Sequence, residues 1–269
     1  MNSFPISRLL FGLATLFTVL VLTGCATGPS ERRIELVNVV RDAAGASPRW
    51  QPAEPAQVGL RVWRNQQEVH ATRGMQLLPG DEVQTGAQSA AVIGFSGGPV
   101  GAGTGTVAVD ENSRVRVGSL EVFFGRIFAN VRGLFETTSE NVVAGVEGTR
   151  FLFEVTRDRK VRVAVAQGVV SCSSRDGSWQ SVSLQAGQAL VSAYPNRARP
   201  QVMPADPREL RDLEDWAAQV AAPPAASPPP ALFAPFFNFG FGIGGGRDRG
   251  GDDWQDRNPP RDPPTRRPN

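Results

Sequence analysis

The sequence has few of the side chains that most metal centres and catalytic sites require. Its 269 residues include one histidine, His70, and two cysteines, Cys25 and Cys172. So few ligands cannot assemble a multi-ligand zinc site or a disulfide framework. We therefore expect no metal, no cofactor and no catalytic residues. His70 is interpreted as a solvated loop residue, because no second histidine could share a metal with it.

The sequence also lacks an excess of charge of either sign. Its 28 lysines and arginines face 26 aspartates and glutamates, which leaves a formal net charge of +2. A chain without a strong positive field is poorly suited to hold a polyanion, so nucleic acid is not an expected partner. Lys160 is the only lysine. This arginine bias is typical of GC-rich codon usage, and we give it no functional weight.

The beginning of the chain has the pattern of an export signal. Residues 1–8 carry the positive charge of Arg8, and residues 9–21 form an apolar run too short to span a hydrocarbon core of about 30 Å. The run ends at residues 22–25, Leu-Thr-Gly-Cys. This ending resembles the lipobox of bacterial lipoproteins, where small residues precede the cysteine exposed by signal peptidase II. The alternative is a plain membrane helix with a chance cysteine.

The lipobox resemblance implies a signal peptide over residues 1–24 and lipidation of Cys25. Its thiol would carry a diacylglyceryl group and its new amino group a third, palmitate-type chain. At about 0.8 kcal/mol per buried CH₂, several chains anchor a protein stably. In lipoproteins a residue other than aspartate after the lipidated cysteine is typical of sorting to the outer membrane, so Ala26 implies that membrane. We therefore expect a lipid-anchored protein on the periplasmic face of a Gram-negative outer membrane, with residues 25–57 as tether and lead-in.

If Cys25 is lipidated, Cys172 is the only thiol left in the mature chain. No intramolecular disulfide is then expected. A lone exposed thiol is a liability in an oxidising periplasm, so Cys172 is predicted to be a small buried residue in a strand.

Residues 58–203 carry the pattern of a β domain. Val161, Val163 and Val165 recur in steps of two, as do Phe151 and Phe153, and this period predicts strands with one buried face. Turns rich in glycine and aspartate separate such runs, and no helix-length segment interrupts them. The pattern predicts an all-β domain of many short strands, built as a short β-solenoid or roll, with a β-sandwich as the alternative.

Six short motifs in this region form an ordered series. They are LPGDEVQTG (78–86), AAV (90–92), GRI (125–127), VEGTRF (146–151), QGVV (167–170) and LQAGQ (184–188). In content and order the series resembles the FecR domain. The resemblance implies a periplasmic protein-interaction module, best known from regulators that relay the state of an outer-membrane receptor to a sigma factor. Because no second hydrophobic span follows, sigma-factor control by this chain alone is not expected.

The turns of that series have physical roles in a scaffold. Gly80, Gly148 and Gly187 are expected at tight turns that need a positive φ. Asp81 and Thr149 are expected to hydrogen-bond neighbouring backbone amides. These residues are interpreted as structural rather than catalytic.

Residues 94–105 are rich in glycine and are predicted to form a long loop, where binding could differ from that of the family. Residues 94–98 also match the G-x-S-x-G pattern of a hydrolase nucleophile, with Ser96 at its centre. That chemistry needs a strand-to-helix turn with an aspartate and then a histidine later in the chain. Pro99 and further glycines follow instead, and His70 lies upstream, so we predict no enzyme.

A capped amphipathic helix is predicted over residues 204–220. Asp206 stands at the N-cap, with Pro207 at N1 and Glu209 at N3 as a capping box. Apolar residues then recur at helical spacing: Leu210, Leu213, Trp216 and Val220. The helix is expected to pack on an open end or face of the β domain, or else to bind a partner. Upstream, residues 31–40 fit either a strand or a short helix.

Residues 221–269 are rich in Pro, Gly, Phe, Arg and Asp, and are predicted to be a disordered tail. The five phenylalanines between 233 and 241 either contact a partner or membrane or make no fixed contact.

The leading functional hypothesis is a non-enzymatic envelope lipoprotein, anchored through Cys25, whose FecR-like domain binds another envelope protein in signalling or envelope organisation. The alternative is a carbohydrate- or peptidoglycan-binding scaffold. An exposed row of aromatic rings on one sheet face, drawn from Trp50, Trp63 and Trp179, would favour that alternative.

Overall fold

Strands make up nearly all of the regular structure. The computed structural model describes residues 31–98, 101–192 and 199–222. The first strands are β1 Arg33–Asp42, β2 Trp50–Pro52, β3 Arg61–Arg64, β4 Gln67–Val69, β5 Gln76–Leu77, β6 Glu82–Gln84, β7 Ser89–Ser96, β8 Thr104–Val109 and β9 Arg114–Arg116. The remaining strands are β10 Leu120–Arg132, β11 Leu134–Thr138, β12 Val142–Glu147, β13 Arg150–Val155, β14 Val161–Gln167, β15 Val169–Ser174, β16 Val182–Gln185, β17 Gln188–Ser192 and β18 Val202–Pro204. A 3₁₀ turn, Pro55–Val58, precedes β3, and helix α1, Pro207–Ala221, follows β18.

The strands form one curled 18-stranded sheet that folds into two layers. Layer A has the order β5–β1–β7–β8–β10–β13–β14–β17–β18, with β2 also paired to β1. Layer B has the order β4–β3–β6–β9–β10–β11–β12–β15–β16. Of the pairs between these strands, β10 with β11 is parallel and the others are antiparallel. The prediction of an all-β roll of many short strands with one C-terminal helix is confirmed.

Strand β10 joins the two layers and changes partners at Gly125. Its first part pairs with β9 in layer B, and the part from Gly125 onward pairs with β8 and β13 in layer A. Gly125 has a φ of 98°, and a Cβ there would overlap the side chain of Ser113. Glycine is therefore required where the strand leaves one layer for the other.

The hydrophobic core lies between the two layers. Phe151 and Phe153 on β13 are fully buried there, as are Val161, Val163 and Val165 on β14. The predicted period of two thus places one face of each strand in the core, and the two phenylalanines are its large anchors.

The segment before the predicted domain boundary at 58 is part of the same fold. Strand β1 lies inside layer A, where it pairs with β7 over eight residue pairs and with β2 and β5 on its other edge. Residues 31–40, which fitted either strand or helix, are therefore mainly strand. Val58 ends the 3₁₀ turn rather than beginning a strand, and the strand starts at Arg61.

Helix α1 packs across the outer face of layer A. Leu210 and Leu213 are buried against Phe128, Leu152 and Ala164 of the sheet. Further along the helix Val220 is buried in a second cluster, whose other buried members are Val40, Ala90 and Val92. The predicted packing of the helix on the β domain is confirmed. Among the helices of the described ranges, none is long and apolar enough to cross a membrane.

The N-terminus of α1 is capped differently from the prediction. The Asp206 side chain accepts a hydrogen bond from the Arg208 backbone N–H at 2.8 Å, as an N-cap should. Glu209 does not complete a capping box. Its carboxylate accepts two hydrogen bonds of 2.5 Å from Arg162 on β14, because the sheet below offers a charged partner.

A buried side chain of β1 ends the helix. The pairing of β1 with β7 shifts register between Leu36 and Asn38. The Asn38 Nδ2 group donates to the backbone carbonyls of Val220 at 2.8 Å and Ala222 at 3.1 Å. These carbonyls have no partner within the helix, so the strand supplies what the helix terminus lacks.

The predicted long loop over residues 94–105 is shorter. Gly94 belongs to β7 and Gly105 to β8, so the connection is residues 97–103, of which 99 and 100 lie outside the described ranges. A Cβ at Gly94 would lie 2.6 Å from Val37 Cγ2, and one at Gly105 would overlap the Asn130 carbonyl. These glycines allow neighbouring strands to approach, a role that their sequence pattern does not distinguish from that of a loop.

Candidate interaction groove

The residues that suggested chemistry in the sequence are placed in ordinary structural roles. Ser96 is the exposed last residue of β7, not a residue on a strand-to-helix turn. His70 is exposed just after β4. Asp110, the residue after β8, is buried and forms an ion pair with Arg126. In the described ranges no three His, Cys, Asp or Glu side chains come together as a metal site.

The thiol of Cys172 is enclosed in the core. It lies on β15 and is fully buried, which confirms the prediction of a small strand residue. Burial raises the pKa of this thiol to about 12. The reactive thiolate is therefore scarce at neutral pH, and Cys172 is not a nucleophile.

The three tryptophans named as a carbohydrate platform do not form a row. Trp50 meets Trp216 of α1 edge-on, with ring centroids 6.4 Å apart. Trp179 is buried in the core between the layers. Trp63 lies beneath the Arg114 guanidinium, 5.1 Å from its ring centroid. Each ring is thus occupied by a different part of the fold.

The outer face of layer B carries an open groove of about 920 Å³. Its floor is a row of residues that face one another across strands: Glu136 on β11 pairs with Gly145 on β12, which pairs with Ser171 on β15. The row continues to Ser183 on β16. Apart from Glu136 these residues are small, so the row forms a depression running across the strands.

One wall of the groove combines exposed apolar and acidic side chains. Leu134 is 65% exposed and Val169 is 44% exposed, which is unusual for large aliphatic residues in a folded domain. Glu147 lies opposite Leu134 in the β11–β12 register. A partner covering this wall would remove apolar surface from water, which stabilises association.

Gly145 has no structural explanation within the described chain. Its φ is outside the left-handed region, and a Cβ built there meets no atom within 4 Å. A glycine inside a strand destabilises the fold by about 0.5–1 kcal/mol relative to alanine. Glycine at positions 94 and 105 avoids an overlap with a neighbouring residue. At position 145 no overlap would occur, and the glycine leaves the floor of the groove unfilled.

Among the residues that the structure describes, the carboxylates of the groove are unpaired, unlike others on the same face of layer B. Glu82 accepts hydrogen bonds from Arg114 and Arg116, and Glu121 forms ion pairs with Arg116 and Arg175. Burial raises the pKa of Glu82, but the hydrogen bonds from the two arginines outweigh it and the net shift is downward. Across residues 31–98, 101–192 and 199–222, no arginine or lysine pairs with the two groove carboxylates, Glu136 and Glu147.

Arg32 closes one end of the groove. Its guanidinium donates to the carbonyls of Gly103 at 3.3 Å and Gly118 at 3.4 Å. It also lies over the rings of Phe95 and Phe135, 5.0 and 5.5 Å from their centroids. Burial lowers its pKa. These contacts hold the Arg32 charge at the groove's end, so that Arg32 does not pair with the carboxylates of the floor and wall.

The groove was not found from the sequence. Its floor comes from strands that are adjacent in space but distant in the chain, since Gly145 and Ser171 are paired although 26 positions separate them. One local signal was present: the outward positions of β12 are Val143, Gly145 and Glu147, and a glycine there interrupts an otherwise good strand.

Comparison with known proteins gives few matches. No protein-family model and no curated protein matches the chain. Two solved structures from Parabacteroides distasonis, each described as a "putative anti-sigma factor", match at 16% identity and a TM-score of 0.35. The 2.50 Å structure is matched over 40% of this chain and 55% of its own, and the 1.65 Å structure over 44% and 61%. The chain thus spans a little over half the length of these structures.

Proposed function

We propose that this chain is a non-enzymatic envelope lipoprotein whose β-roll is a protein-interaction module, acting in signalling or envelope organisation. The observation that carries the proposal is the groove on layer B. It combines exposed Leu134 and Val169, two carboxylates without an ion-pair partner in the described ranges, Glu136 and Glu147, and a glycine whose absent side chain leaves room. Exposed apolar side chains that adjoin carboxylates in a groove are typical of a surface that binds another molecule.

Two sequence features support the envelope setting. The lipobox-like ending at residues 22–25 supplies a lipid anchor on Cys25, which lies outside the described residues. The six ordered motifs resemble the FecR domain, an interaction module of the periplasm. In the roll these motifs contribute turns and core strands, and two of them also supply groove residues, Glu147 from VEGTRF and Val169 from QGVV.

Site-specific photo-crosslinking in intact cells tests the proposal. A photoreactive residue replaces Ser171 on the groove floor, and the control replaces Gln67, which is exposed on edge strand β4. We expect a discrete protein adduct at position 171 and none at position 67. Equal patterns at both positions, or no adduct at 171, would contradict an interaction role for the groove. An adduct that muramidase releases but protease does not would favour the peptidoglycan-binding alternative.

A further inference from the structure

At Gly145 the groove on layer B has open space where another residue would place a side chain. A side chain there would meet no atom of the described chain, and the backbone conformation does not require glycine. A glycine in a strand interior that serves neither conformation nor packing marks a place where another backbone or ligand approaches closely. The missing side chain is therefore informative about what fills the groove.

The dimensions of the depression fit an extended peptide. Neighbouring strands are about 4.8 Å apart, so the row from Glu136 to Ser183 spans about 14 Å across four strands. An extended chain covers that length in four or five residues at about 3.3 Å each. The row that flanks the floor in the groove lining is Leu134, Glu147 and Val169, about 6.7 Å from the floor row, centre to centre.

The charges of the groove select a basic peptide. Glu136 on the floor and Glu147 on the wall are exposed and without an ion-pair partner among residues the structure describes, while Arg32 is held by carbonyls and aromatic rings at the end. A lysine or arginine of the partner would find two carboxylates on adjacent strands. Leu134 and Val169 beside them offer contact to an apolar neighbour of that basic residue.

Resting on the proposed interaction function, we infer that the groove binds an extended segment of a partner protein. Its backbone crosses β11, β12 and β15 over Gly145. One of its basic side chains lies between Glu136 and Glu147, and an adjacent apolar side chain contacts Leu134 and Val169. The ligand class is thus a short, extended, basic and apolar peptide of four or five contacting residues.

A peptide array provides the direct test. Octapeptides whose four central positions are drawn from Arg, Lys, Glu, Leu, Val and Thr are probed with the full-length protein, and the strongest are remeasured in solution. We expect the bound peptides to be enriched in Arg or Lys next to Leu or Val, with affinity falling as salt is raised. Absence of binding, or no preference for basic residues, would overturn the inference.

Two sets of variants assign that binding to the groove. Gly145→Val fills the floor and should weaken the best peptide at least tenfold, while its melting temperature stays equal to or above the wild-type value. Glu136→Gln combined with Glu147→Gln should weaken it at least threefold and flatten the salt dependence. Glu68→Gln, an exposed glutamate on β4, is the charge control and should leave affinity unchanged.

Each outcome decides the inference. If Gly145→Val melts below wild type, the double glutamine variant decides alone, because both carboxylates are exposed and unpaired in the described chain. Undiminished binding by that variant would overturn the peptide assignment. The Ser171 crosslink distinguishes failure of the proposed interaction function from failure of the proposed ligand. An adduct at 171 without basic-peptide binding would support the interaction function and contradict only the ligand class.

Discussion

Single side chains fix helix α1 to layer A at both of its ends. Arg162 on β14 holds Glu209 in the first turn through two hydrogen bonds, and Asn38 on β1 donates to carbonyls in the last turn. The Arg162 hydrogen bonds, and the attraction between the charges, lower the pKa of Glu209 and raise that of Arg162. Both contacts satisfy polar groups that the helix itself cannot satisfy.

The lowered pKa of Glu209 predicts a dependence of stability on pH. A carboxylate whose pKa is lowered by folding stabilises the fold above its unfolded value, near 4.5, and loses that contribution as pH falls through the folded value. We expect Glu209→Gln to lower the free energy of unfolding by about 0.5–1 kcal/mol at pH 7, the range for partly exposed ion pairs. Urea unfolding at pH 7, 5 and 3.5 should show the difference between the two proteins shrinking below pH 4.5. A constant difference, or an equal effect from Glu68→Gln, would contradict this role.

At the residue scale the sequence predicts local chemistry and misses distant partners. Gly80, Gly148 and Gly187 have φ values of 95°, 67° and 78°, as their turns required. Asp81 accepts from the Leu78 backbone N–H at 2.8 Å, again as predicted. Thr149 instead donates to the Val169 carbonyl twenty residues away. The conformation of a turn depends on residues close in the sequence, whereas a partner on another strand depends on the register between the strands.

At the scale of elements, α1 covers an apolar strip that layer A would otherwise expose. Leu210, Leu213 and Val220 are buried against strands from both halves of the sheet. Burying one such side chain contributes about 1.5–3 kcal/mol. Three of them amount to a large part of the 5–15 kcal/mol that stabilises a typical domain.

Removing α1 should therefore damage the β domain. We compare a chain ending at Ala222 with one ending at Met203, which loses the whole helix. The longer chain should keep a β-type circular dichroism spectrum and melt cooperatively. The shorter chain should melt at least 10 °C lower or aggregate, since Phe128 and Leu152 lose their cover. Equal melting temperatures would show that the helix contributes nothing and that its apolar side is available to a partner.

Elements were predicted best where the period was clear. The valine and phenylalanine runs of β13 and β14 and the apolar spacing of α1 were recognisable because each has one buried face. Residues 94–105 were misjudged because glycine marks both flexible loops and closely packed strands. What distinguishes them at Gly94 is the side chain of Val37 on a neighbouring strand, which the local sequence does not reveal.

At the scale of the whole molecule, the two layers have different outer faces. Layer A is covered by α1, while layer B carries the groove and no other described element covers it. The roll was predictable from the composition and from the two-residue period of apolar side chains, because these determine which faces of the strands must be buried. They did not predict the groove, because the row from Glu136 to Ser183 exists only once four strands are in register.

The proposed anchor predicts a change that leaves the domain intact. Growth with a clickable palmitate analogue should label the wild-type chain, and Cys25→Ser should abolish labelling and move the protein from the membrane fraction to the soluble fraction. Cys172→Ser is the matched control and should keep both the label and the membrane association, because its thiol is enclosed in the core. Equal labelling of wild type and Cys25→Ser would contradict lipidation at that residue.

The position of β1 has a mechanical consequence. It is the first strand of the described chain, and it lies within layer A, paired antiparallel with β7 over eight residue pairs. Tension entering ahead of Arg33 and resisted by a load on layer B pulls along the strand axis, so the β1–β7 hydrogen bonds are sheared together rather than unzipped one at a time. If Cys25 carries the proposed lipid anchor, force from the membrane enters the roll at a strand whose eight residue pairs with β7 share the load.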